Sequence, residues 1–102
     1  MTDFENTEKN GNLEIKEKII GILAKLFAES GVDADVLEYV DLTDDLGMDS
    51  VSFISLIIEL EAEFDIQIPD EWLQMDTFQT YTQIYTAVET LLTTKETENS
   101  NG

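Results

Sequence analysis

The chain has 102 residues, 42% of them apolar, with one proline and five glycines, the size and composition of one small globular domain. Its net charge is −18, it has neither cysteine nor histidine, and its five cations are all lysines. This excludes a thiol nucleophile, an imidazole base, a disulfide framework and zinc sites of the usual nitrogen and sulfur type, and it disfavours nucleic acid and anionic membranes as partners while favouring basic protein surfaces.

Residues 1–11 and 93–102 are polar and predict flexible tails around a domain of residues 12–92. The start, Met1-Thr2-Asp3-Phe4-Glu5-Asn6, lacks the basic and apolar regions of a signal peptide, and no run reaches transmembrane length. The expected location is therefore the cytoplasm. From Leu13 to Ser30, the apolar residues Ile15, Ile19, Ile22, Leu23, Leu26 and Phe27 recur on one helical face. Asn12 is the predicted cap, Gly31 the terminator, and Lys16, Lys18 and Lys25 fall on the polar side.

Val32 to Asp49 is long for a connection, but Val32, Val36, Leu37, Val40, Leu42 and Leu46 punctuate it, so it is expected to lie on the core as a structured loop with a turn of helix. Its aspartates imitate a calcium loop beginning at Asp41. The glycine falls at position seven instead of six and position twelve is Ser52, so no specific metal site is expected. Asp33, Asp35, Glu59 and Glu63 are left as looser cation ligands.

A second helix is predicted from Ser50 to Asp65. Phe53, Leu56, Ile57, Leu60 and Phe64 share one arc of roughly 100°, enough to face a core. Val51, Ile54 and Ile58 form a second apolar arc, with Glu61 between the two. A domain this small leaves one flank of such a helix in solvent, which makes this second arc a candidate docking patch ringed by Asp44, Asp45, Asp49, Glu59 and Glu61. Ile66-Gln67-Ile68 reads as an extended connector with both isoleucines inward. Pro69, Asp70 and Glu71 then open a short helix near 70–74. Asp76 or Thr77 is the predicted cap of a last helix over 78–92, where Tyr81, Ile84, Tyr85, Val88, Leu91 and Leu92 recur at helical spacing. Trp72 and the tyrosines are read as core and rim.

The expected fold is thus all-α, a small four-helix bundle with three main helices and a short third one. Its chemistry centres on Ser50, at the first turn of the second helix, where unpaired N–H groups and the helix dipole favour a phosphate. Nothing in the chain can activate that hydroxyl, since there is no histidine and the nearest lysine in sequence is Lys25. Ser50 therefore reads as a substrate of another enzyme rather than as a catalyst.

The block Leu46-Gly47-Met48-Asp49-Ser50-Val51, followed at a fixed distance by Leu60-Glu61-Ala62-Glu63-Phe64-Asp65-Ile66-Gln67-Ile68-Pro69-Asp70-Glu71, resembles the acyl carrier protein family over roughly residues 13–92. The resemblance implies that Ser50, beside Asp49, is esterified by 4′-phosphopantetheine, whose thiol holds acyl or aminoacyl groups as thioesters. It also implies a non-enzymatic, monomeric carrier. Its partners would be a phosphopantetheinyl transferase, an acyl- or aminoacyl-loading ligase or transferase, and synthase or condensing enzymes with basic docking surfaces. Two departures bear on the pathway. Val51 stands where many members have leucine, and Ser52 and Ser55 stand where carriers of primary fatty acid synthesis are commonly acidic. The first is a mild change; the two serines, with the aromatic residues Phe53, Trp72, Tyr81 and Tyr85 and the polar tails, make the chain more similar to a stand-alone carrier of polyketide or nonribosomal-peptide biosynthesis than to a fatty-acid or aminoacyl carrier of another pathway. Outside the family, the rival is an acidic helical adaptor or inhibitor with no prosthetic group.

Overall fold

The computed structural model describes the backbone of residues 2–101 and the side chains of residues 13–94. It contains three α-helices, α1 (Thr2–Leu26), α2 (Ser50–Phe64) and α3 (Tyr81–Asn101), joined by irregular segments with short 3₁₀ turns. No strand occurs among the described residues.

In α1 the apolar spacing becomes a buried face of Ile19, Ile22 and Leu23, continued by Phe27. The α-helix ends at Leu26, and the 3₁₀ turn Ala28–Ser30 finishes it against Gly31, whose left-handed φ of 78° and N–H to Ala28 O close the end as the glycine predicts. Asn12 is not a cap, because the helical backbone continues back to Thr2. Likewise α3 runs on to Asn101, through residues whose composition predicts a tail. A helix propagates one hydrogen bond per residue without needing a buried face, so an apolar period marks the packed part of a helix and not its ends.

The long connection between α1 and α2 does lie on the core. Leu37, Leu42 and Met48 are buried, and the predicted turn of helix is the 3₁₀ turn Ala34–Val36. Asp41 organises the rest. Its Oδ1 accepts the N–H groups of Thr43 (3.0 Å) and Asp44 (2.8 Å) and the side-chain amide of Gln79 (3.3 Å), and Leu42 N donates to Gln79 O at 2.8 Å. This acidic turn is a backbone fastening to the segment before α3. No three acidic side chains of the described residues gather in a metal-binding arrangement. Glu59 and Glu63, read as loose cation ligands, instead hold Lys25 at 3.3 Å and Lys18 at 3.7 Å across the α1–α2 interface.

Helix α2 buries the five predicted residues, Phe53, Leu56, Ile57, Leu60 and Phe64. Beyond its left-handed C-cap at Asp65 (φ 53°), the connector is held by one residue twice: Glu61 O accepts from Ile66 N at 3.2 Å, and Glu61 Oε2 accepts from Ile68 N at 2.9 Å. Both isoleucines are buried, as expected. The predicted short helix contracts to the 3₁₀ turn Asp70–Trp72, and a second such turn follows at Met75–Thr77.

Helix α3 begins at Tyr81, not at 78, and neither Asp76 nor Thr77 is its cap. Thr80 is. Its Oγ1 accepts from Gln83 N at 3.3 Å, while Gln83 Oε1 accepts in return from Thr80 N at 3.1 Å and from Gln79 N at 2.8 Å. Thr80 and Gln83 thus form a capping box. Thr80→Ala is expected to cost about 0.5–2 kcal/mol, read as a lower urea midpoint with an unchanged slope. A midpoint equal to wild type would show that Gln83 alone holds the helix start. Tyr81 packs inside, its ring 5.9 Å from that of Tyr85, and burial with the nearby Glu38 charge pushes its phenol up to about 12.

Candidate functional site at the start of helix α2

The loop delivers Ser50 to solvent at the head of a buried helix. Gly47 turns the chain with φ 73°, and Met48, buried, donates its N–H to Leu42 O at 2.9 Å. Asp49 follows in extended conformation as the N-cap, its Oδ1 accepting from Ser52 N at 2.9 Å, and Phe53 N donates to Asp49 O at 2.8 Å. Ser50 is the first helical residue. It is exposed, and its hydroxyl makes no hydrogen bond to any described residue.

Of the two neighbours at this helix start, Asp49 caps, and Ser50 is free of capping. The division also alters the expected phosphate site. The carboxylate of Asp49 already meets the partial positive charge of the helix start, so what suits an attached phosphodiester is the unengaged, outward hydroxyl of Ser50 rather than an anion cradle. The N–H of Ser52 holds the Asp49 carboxyl below the ordinary value of 3.8. Since folding lowers this value, the cap's contribution is complete above the ordinary value and disappears as pH falls through the lower folded one. Asp49→Asn keeps a good cap without the charge. Melts from about pH 6 to about pH 2.5 should therefore show the difference between wild type and Asp49→Asn closing in acid; a constant difference would mean that the charge of Asp49 contributes nothing.

Val51, Ile54 and Ile58 are 74%, 56% and 59% exposed, an apolar flank running down α2 from Ser50. Beside it lies a groove of about 470 Å³, lined by Ser50, Phe53, Ile54, Ile57, Ile58, Leu73 and Met75. Leu73 and Met75 escape sequence reasoning because they sit in the irregular segment before α3, where no period marks a face. Of the acids expected around the patch, Asp44 and Asp45 are exposed on the preceding turn, where Asp45 Oδ2 accepts from Asp41 N at 2.8 Å. Glu59 and Glu61 are not gathered there as free charges: Glu59 holds Lys25, and Glu61 holds the connector. Long-range partners of this kind leave no trace in local spacing.

Among the described residues no helix is long and apolar enough to cross a membrane. Residues 17–88 match the family model described as a phosphopantetheine attachment site. The acyl carrier proteins of Chlorobium phaeobacteroides and Chlorobium phaeovibrioides are each 46% identical to the chain over 59 residues, covering 57% of it and 72% of theirs. That of Syntrophobacter fumaroxidans is 40% identical over 55 residues, covering 53% of the chain and 64% of its own length. These matches set aside the adaptor without a prosthetic group. A helical domain that offers an exposed serine beside an apolar flank, within the stretch that matches the phosphopantetheine attachment model, suits a thioester carrier: the chain belongs to the acyl carrier protein family, and its prosthetic group is 4′-phosphopantetheine.

Proposed function

We propose that Ser50 bears the phosphopantetheine arm, within a carrier domain of residues 12–92, and that this carrier serves polyketide or nonribosomal-peptide biosynthesis in the cytoplasm. The observation that carries the attachment is the exposed Ser50 hydroxyl at the first position of α2, held out by the Asp49 cap and engaged by no other described residue. In the modifying reaction a base of the transferase takes the Ser50 proton. Ser50 Oγ bonds to the phosphorus attached to pantetheine in coenzyme A, and adenosine 3′,5′-bisphosphate leaves. The chain's own part is to present that oxygen without competing hydrogen bonds. When bound, the group supplies the thiol that carries the acyl cargo.

Partners would read the face beside the arm. Val51, Ile54 and Ile58 give apolar register, while Asp44, Asp45 and Asp49 give charge that speeds encounter with basic enzyme surfaces. Glu59 and Glu61 add to that field although their carboxylates hold Lys25 and Ile68 N. Ile54→Asp is expected to weaken transfer from a loading ligase or to a condensing enzyme, with a change in melting temperature near that of other surface substitutions. A large fall in melting temperature would make Ile54 part of the core instead.

The pathway rests on Ser52 and Ser55, which leave the outer side of α2 less acidic than carriers of primary fatty acid synthesis commonly have. The groove beside Ser50 favours a second reading, an apolar acyl cargo in fatty acid synthesis, over an aminoacyl cargo, because the side chains that line it are apolar apart from Ser50. Intact-mass analysis of the loaded protein after incubation with fatty acyl, malonyl and amino-acid ligases separates these. Efficient loading by a fatty acyl ligase alone would sink the polyketide and peptide assignment.

A further inference from the structure

The large apolar side chains exposed among the described residues fall into two groups. Val51, Ile54 and Ile58 flank Ser50, and Leu13, Val36 and Tyr39 lie elsewhere. Leu13 and Tyr39 line a groove of about 590 Å³ between α1 and the turn Ala34–Val36, and it shares no lining residue with the groove at Ser50. Tyr39 is 79% exposed. Ile20 gives the groove an apolar wall, and Gly21 opens the middle of it. Glycine is a costly residue inside a helix, and a Cβ built at Gly21 meets nothing within 4 Å, so the packing of this domain does not call for it. The space above it admits a close approach from outside.

Charge decides what approaches. Glu17, Asp35 and Glu38 line the groove, and its one lysine, Lys16, is held by Glu38 at 3.0 Å. A second copy would bring another −18 against the same rim, and nucleic acid or an anionic membrane would be repelled in the same way. We infer that the α1 groove docks a cationic amphipathic helix of a partner protein, seating its apolar ridge against Leu13, Ile20 and Tyr39 and its basic flanks on Glu17, Asp35 and Glu38. Because the two grooves have no residue in common, a partner held at α1 leaves the Ser50 face free. Attachment at Ser50 gives this docking its use, but the contact does not depend on it.

The test is a titration of isotope-labelled protein with a leucine–lysine amphipathic peptide of about 18 residues, long enough to be helical, followed by amide shifts. A scrambled peptide of the same composition is the control. Saturable shifts over residues 13–24 and 34–39 are expected, with affinity about tenfold above the scrambled peptide. Gly21→Lys, which puts bulk and positive charge into open space, should weaken binding by about tenfold, and Tyr39→Ser should weaken it too. Ser50→Ala should bind as wild type does. Shifts confined to residues 51–58, equal binding of the scrambled peptide, or undiminished binding by Gly21→Lys would each overturn the inference. The Ser50→Ala arm keeps this result separate from the fate of the attachment proposal.

Discussion

Ser50→Ala should take up no phosphopantetheine at all, while wild type, incubated with coenzyme A, magnesium and a broad-specificity transferase, gains the mass of one arm. The loss is complete because the reacting atom itself is removed. The fold should scarcely change. Asp49, not Ser50, caps α2 through Ser52 N, and Ser50 is exposed with no hydrogen bond to a described residue, so the variant should lie within about 0.5 kcal/mol of wild type. Circular dichroism melts on the same samples check this. A mass gain on Ser50→Ala would move the arm to another hydroxyl, with Ser52 and Ser55 the next to replace. No gain on folded wild type would sink attachment at Ser50 under these conditions.

The largest effect on stability is expected from Phe78→Ala. Phe78 is fully buried, and its ring stands 6.0 Å from that of Phe53 at 47°, joining the segment before α3 to the underside of α2. Removing a buried phenylalanine costs about 3–5 kcal/mol through lost contacts and the cavity left behind, against a total of about 5–15 kcal/mol for a typical domain. In a chain of this size the melting temperature should fall by more than about 10 °C. A fall of only a few degrees would show that Phe53 and its neighbours collapse into the space.

Phe78 also marks where sequence reasoning ends. Helix α2 was legible to within one residue, together with its buried and exposed sides, because a 3.6-residue period leaves an unambiguous record when one face is buried and the other is wet. The position of Ser50 at the first turn of that helix is legible through the Asp49-Ser50 pair. Phe78, Met48, Leu73 and Met75 sit in irregular backbone, where burial depends on the path of the loop and not on any repeat. The sequence places the start of α3 too early because Asp76 and Thr77 are good capping residues; Thr80 prevails because Gln83, three residues on, completes the box. The acids show the same limit from the other side. Their density announces a negative surface, but only the folded chain assigns Glu59 to Lys25, Glu61 to Ile68 and Asp41 to Gln79.

That last fastening matters for a molecule that works at the end of a tether. With Ser50 as the anchor, each time an enzyme grips the cargo, tension enters the domain at a single side chain. It runs lengthwise into α2, sideways through Met48 N to Leu42 O, and from Leu42 N to Gln79 O beside the start of α3, while Lys25 and Glu59 tie α2 back to α1. The head of α2 is thus fastened to the segment before α3 by backbone hydrogen bonds, and α2 to α1 by an ion pair. An arm attached at Ser50 would therefore be rooted in a residue whose helix is held to its neighbours on two sides.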